Sequence, residues 1–139
     1  MNQNNRIDYG NESFIANIAN ISCQNPYYRR ILWTGEHLQV ALMSIPVGDE
    51  IGLEQHPDND QFIRIESGCA QVLMGSSAQN LNIQKRVNSD YAVMVPAGTW
   101  HNIKNIGSVP LKVYTIYAPP HHKKGTVHET RKIAEQEEH

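Results

Sequence analysis

A chain of 139 residues fits one domain and is long enough to enclose a hydrophobic core. Lys plus Arg number 12 against 14 Asp plus Glu, a formal charge of -2, which excludes a global basic field for nucleic acid or anionic lipid and leaves small neutral or anionic ligands open. The two cysteines, Cys23 and Cys69, are too few and too widely separated for a disulfide framework or a Cys-x-x-Cys site, so both are expected to be reduced.

The opening MNQNNRIDYG has neither a basic region nor an apolar core, and no later run approaches the roughly 20 apolar residues that span a bilayer. A cytoplasmic protein that binds neither membrane nor nucleic acid is expected. Residues 1–12 read as a loose N-terminus. Short segments rich in Val, Ile and Tyr follow, punctuated by Gly, Pro, Asn or Asp, and predict strands at 14–18, 30–34, 37–45, 50–56, 61–67, 70–74, 91–95, 101–105 and 111–117. The pattern is all-β, a sandwich or barrel. Residues 19–24 fit a helical turn before Asn25-Pro26, and GSSA at 75–78 marks a connection into the polar stretch 79–90. The charged tail 121–139 is helix-compatible from His128 onward, but Ile133 and Ala134 are its only apolar residues there, so a surface helix is expected. No repeat or linker divides the chain, and residues 1–139 read as a single domain.

Chemistry concentrates in GDEIGLEQHPDNDQFIRIESG, residues 48–68, and PAGTWHNIKN, residues 96–105. If Glu54 and His56 lie in one strand, alternation puts both side chains on one face with Cα atoms roughly 6 to 7 Å apart. With Gln61 after a short turn, and with His101, they read as one metal site.

These residues resemble the cupins, small double-stranded β-helix or jelly-roll barrels. The family's first motif runs Gly, five residues, His-x-His, three or four residues, Glu, six residues, Gly; Gly48, Glu54, His56, Gln61 and Gly68 occupy those places. The second runs Gly, five residues, Pro-x-Gly, two residues, His, three residues, Asn; Asp90, Pro96, Gly98, His101 and Asn105 fall on it, with only the initial Gly changed. Motif 1 thus spans 48–68 and motif 2 spans 90–105, in family order and separation.

The resemblance implies a cupin barrel with short flanking helices and one divalent metal ion held by Glu54, His56, Gln61 and His101. Two imidazoles, one carboxylate and one amide oxygen suit Zn, Mn, Fe, Ni or Co. The common family set is three His and one Glu; here the carboxylate moves to the first position and an amide stands where Glu usually does, so ligand charge is conserved. Three functions follow from the resemblance. The first is a non-redox Lewis-acid enzyme of isomerase, lyase or cyclase type on a small polar, sugar-like substrate, with Glu54 as its catalytic residue. The second is an Fe or Mn dioxygenase, in which Glu54 replaces a base that Gln61 cannot be. The third is a non-catalytic small-molecule binding protein. Cupins often pair through edge strands and exchanged N-terminal segments, so a homodimer involving 14–18 is expected.

Other residues carry weaker expectations. The PDND sequence at 57–60 reads as a turn, and Trp100 as packing. Phe62, Arg64 and Glu66 alternate with Gln61, Ile63 and Ile65 and should point away from the metal. Tyr91, Tyr114 and Tyr117 each offer a phenol, and either Val113 with Thr115 or Tyr114 with Ile116 lines the interior. His121 and His122, after Pro119-Pro120, read as a polar loop, and Arg29 and Arg30 as solvated strand ends.

Overall fold

The computed structural model describes residues 6–137, so residues 1–5 of the expected loose N-terminus and 138–139 of the tail lie outside it. In chain order the elements are α1 (Ile18–Gln24), β1 (Arg29–Thr34), β2 (Gln39–Ile45), β3 (Asp60–Ser67), β4 (Ala70–Gly75), β5 (Ile83–Val87), β6 (Ala92–Val95), β7 (Trp100–Asn105), β8 (Leu111–Ala118), β9 (Val127–His128) and α2 (Arg131–Glu137). They form an antiparallel six-stranded sheet in the order β6-β3-β8-β2-β1-β9 and a three-stranded sheet in the order β5-β4-β7. This is the jelly-roll arrangement with two short flanking helices, although neither sheet closes on itself. No helix among the described residues is long and apolar enough to cross a membrane.

The period-2 pattern decides what faces inward. In β3, Gln61, Ile63 and Ile65 are buried while Phe62, Arg64 and Glu66 are only partly covered. In β8, Val113, Thr115 and Tyr117 are buried, which resolves the register of that strand in favour of Val113 and Thr115. Ile45, Ile63, Ile65, Ile103, Leu111 and Val113, each at most 1% exposed, join one core. Complete burial of each such side chain stabilises the fold by about 1.5–3 kcal/mol. Gly68, at φ 104°, turns β3 into β4, and a Cβ there would come within 3.1 Å of the Leu111 Cα. Asp90 stands where the family's second motif has Gly, and its φ of 75° supplies the reason: the position requires a left-handed backbone, which Asp tolerates better than most residues.

Five expectations change. Residues 14–18 form no strand: Phe14 stacks on Tyr9 at 4.4 Å, and Asn17 caps α1 by accepting the Asn20 N–H at 3.0 Å. Residues 50–56 are also not a strand. Left-handed Gly48 and Gly52 break the extended run, whose β-pairing with β7 among the described residues is limited to the bridges Glu50↔Lys104 and Glu54↔His101. The polar stretch 79–90 contains β5, hidden in the sequence because four of its five residues are exposed and only Val87 is buried. β9 is two residues long and adds an edge to β1. Within the N-terminal stretch, Tyr9 N–H donates to Leu32 O (2.9 Å) and Arg30 Nη2 to Ile7 O (2.9 Å), tying it to β1.

Candidate metal centre

The loop between β2 and β3 is fastened to β7 by paired backbone bonds: Glu54 N–H to His101 O (3.0 Å) and His101 N–H to Glu54 O (2.9 Å). The Tyr28 phenol adds a donor to the Ile51 carbonyl at 3.2 Å, so the loop is held although it is not a strand. On the other side, Pro96 and left-handed Gly98 make a tight turn, closed by Thr99 N–H to Pro96 O (3.0 Å) and linked to the loop by Gly98 N–H to His56 O (2.8 Å). The Thr99 carbonyl then lies 3.0 Å from His101 Nδ1.

Glu54, His56 and His101 converge, each with a potential ligand atom, all within 4.8 Å of one another. Glu54 Oε1 is 3.2 Å from His56 Nε2 and 3.5 Å from His101 Nε2. Burial alone would push the Glu54 carboxyl up, but the two imidazoles beside it, of His101 and His56, outweigh burial and hold this group well below the usual carboxylate range. The cluster is positioned to chelate a single divalent ion.

The donor set fits such an ion on a further ground. A carbonyl only accepts, so His101 Nδ1 carries its proton, and in the neutral ring Nε2 presents a lone pair. That Nε2 is buried and has no hydrogen-bond partner among the described residues. A lone pair and a carboxylate oxygen facing each other at 3.5 Å repel unless a cation lies between them. Gln61 behaves similarly: its Nε2 donates to Thr115 Oγ1 (2.9 Å), which turns its buried Oε1 into an acceptor without a partner.

The turn at 57–60 is structural, with Asn59 Nδ2 donating to the Pro119 carbonyl and Asp60 accepting the Ala97 N–H. Trp100 is half-buried opposite Gly75. Arg64 pairs with Glu66 and Asp90 on the outer face. Of the three tyrosines, Tyr91 is exposed, Tyr114 packs on Phe62 outside, and Tyr117 is buried with its ring 5.7 Å from that of His56.

The sequence reading missed the opposite wall. His121 packs against His56 at 4.3 Å and against His122 at 4.7 Å, and His122 lies 6.3 Å from His128. These residues, with Glu54, Gln55, His56, Lys123, Thr126 and Glu137, enclose a cavity of about 580 Å³. Burial, with Arg29 nearby, pushes His122 down to about 2. Arg29 and Arg30 are 3% exposed, not solvated ends; Arg29 Nη1 donates to His128 Nδ1 (3.1 Å), so His128 Nε2 donates to Glu137 (3.0 Å). One signal was available: Gln39, an amide in the inward register of β2, needs partners, and it finds them in this segment. Its Oε1 accepts both the His121 and His122 N–H, and its Nε2 donates to His122 O and Thr34 Oγ1.

The family model for the Cupin domain matches residues 41–117. The uncharacterised protein YrkC of Bacillus subtilis is 56% identical over 124 residues, covering 89% of this chain and 67% of that protein. The uncharacterised protein L612 of Acanthamoeba polyphaga mimivirus is 40% identical over 118 residues, covering 84% of this chain and 72% of that one. The crystal structure of BH2720 from Bacillus halodurans superposes with a TM-score of 0.93 at 55% identity, covering 94% of this chain and 98% of the other.

Proposed function

Because the chain belongs to the cupin family, we propose that it is a metal-dependent enzyme of the non-redox kind, performing isomerase, lyase or cyclase chemistry on a small polar substrate. The observation that carries this reading is the buried, partnerless Nε2 of His101 aimed at the Glu54 carboxylate beside His56. Those three residues hold the ion, and Gln61 joins them through its unpartnered Oε1. When bound, a divalent ion supplies Lewis acidity to a carbonyl or hydroxyl oxygen.

The chain's own residues set the conditions. Glu54 is the catalytic carboxylate in an electrostatic sense: held ionised, it contributes the site's negative charge and is a weak proton carrier near neutrality. Thr99 fixes the His101 tautomer, and Thr115 aims the Gln61 oxygen. Because Gln61 is an amide, no base stands at the position where the family's usual glutamate does, which favours the non-redox reading over a dioxygenase. The cavity size suits a small molecule; a homodimer in the cytoplasm completes the proposal.

An oxygen electrode and a substrate panel test the reaction class. Metal-loaded protein should turn over a sugar or uronate without consuming oxygen. Oxygen uptake with a catechol or flavonol would sink the non-redox reading, and thermal stabilisation by ligands without turnover would support a binding protein instead. Sedimentation at micromolar concentration should show a dimer; a monomer alone would contradict that part.

A further inference from the structure

The wall facing the metal triad has an unusual inventory of polar groups. Of its two carboxylates, Glu54 belongs to the triad and Glu137 is engaged by His128 at 3.0 Å. Thr126 donates its hydroxyl to the Lys123 carbonyl at 2.6 Å. What remains toward the cavity is His122, whose Nε2 is buried without a hydrogen-bond partner, the exposed Lys123, which makes no ion pair among the described residues, and the side chains of Gln55 and His121. Arg29 stands behind them through His128.

Both carboxylates are committed, and the uncommitted charge among the described lining residues is the ammonium of the exposed Lys123, with the imidazoles of His122 and His121 and the Gln55 amide beside it. An anion needs only donors and positive charge, which this wall supplies. The placement of His122 is also built rather than incidental, because the fully buried Gln39 bonds both its N–H and its C=O. One imidazole N–H and one ammonium match the two oxygens of a single carboxylate; a phosphate dianion in a half-buried wall would call for more donors.

We propose that this wall is an anion subsite, in which His122 and Lys123 receive the carboxylate of a small organic acid whose other oxygen-bearing end faces Glu54, His56 and His101. This names the substrate class of the proposed enzyme and rests on the metal reading above. A cavity of about 580 Å³ accommodates such a molecule. The neutral state of His122 suits the role, since a buried imidazolium would face Arg29.

The test is calorimetry on zinc-loaded protein at pH 7 with succinate and, as the neutral counterpart of equal chain length, 1,4-butanediol. Succinate should bind at least about tenfold more tightly than the diol. His122→Phe should weaken succinate about tenfold and Lys123→Met about threefold, while His122→Gln, which retains an N–H donor, should stay within about threefold of the parent. Zinc content by elemental analysis should be the same in all four proteins, which shows that the variants fold and separates the subsite from the metal centre. Equal affinity for succinate and diol, or an unchanged succinate affinity in both His122→Phe and Lys123→Met, would overturn the inference. If the parent holds no zinc, the metal reading fails, and the same His122→Phe comparison on zinc-free protein decides the subsite alone.

Discussion

The wall that carries Glu54, His56 and His101 is fastened by paired backbone bonds to β7, a tight turn at Gly98 and the Tyr28 phenol, whereas in the opposite wall the main-chain N–H groups of His121 and His122 both bond to one buried side chain, Gln39. The first attachment is redundant and made mostly of main chain; the second, at His121 and His122, is concentrated in one amide, three of whose four hydrogen bonds go to that pair. Substitution should therefore separate them. The metal wall tolerates loss of any single side chain that only supports it, and the opposite wall does not.

Gln39→Leu should have the largest effect, because it leaves the His121 and His122 N–H groups without their acceptor: a loss of about 2–4 kcal/mol in denaturant unfolding, with metal content unchanged. If metal is lost along with stability, the two walls are not independent.

The next effect is a pH dependence located in the second wall. His122 has its pKa lowered from 6.5 to about 2, so below pH 6.5 the unfolded chain takes up a proton that the folded one refuses. Stability from this group is fully present above pH 6.5 and falls as the pH drops, by up to about 1.4 kcal/mol per pH unit. His122→Phe should flatten the decline in melting temperature between pH 7 and 5; a profile of unchanged slope would assign the decline to other groups.

Thr115→Val is the mild perturbation of the metal wall. It frees the Gln61 amide to rotate, which should cost about 1 kcal/mol of stability and lower metal affinity a few-fold. An unchanged metal affinity would remove Gln61 from the ligand set while leaving Glu54, His56 and His101 in place.

The contrast between the walls also explains what the sequence disclosed. Strands with one buried face, such as β3 and β8, announce themselves by alternation, and the spacing of Glu54, His56, Pro96, Gly98 and His101 marks the metal loop even though residues 50–56 are not the strand that alternation suggested. Edge strand β5 was illegible because exposed Gln84, Lys85 and Arg86 resemble a loop. His121 and His122 were illegible for another reason. Their placement is set by Gln39, 83 positions from His122 in sequence, and by packing of His121 on His56, neither of which leaves a local pattern. The fold and the metal loop were thus readable from local periodicity and spacing, and the wall facing the metal was not.

Elemental analysis of protein purified without chelator bears most directly on the metal centre. The parent should carry about one divalent ion per chain and His101→Ala less than about a tenth of that, because a three-ligand core loses its most buried imidazole while its fold, checked by circular dichroism, persists. Equal metal content in the two proteins, or a parent that stays metal-free after incubation with zinc, manganese and iron, would contradict the assignment of Glu54, His56 and His101 as a metal site.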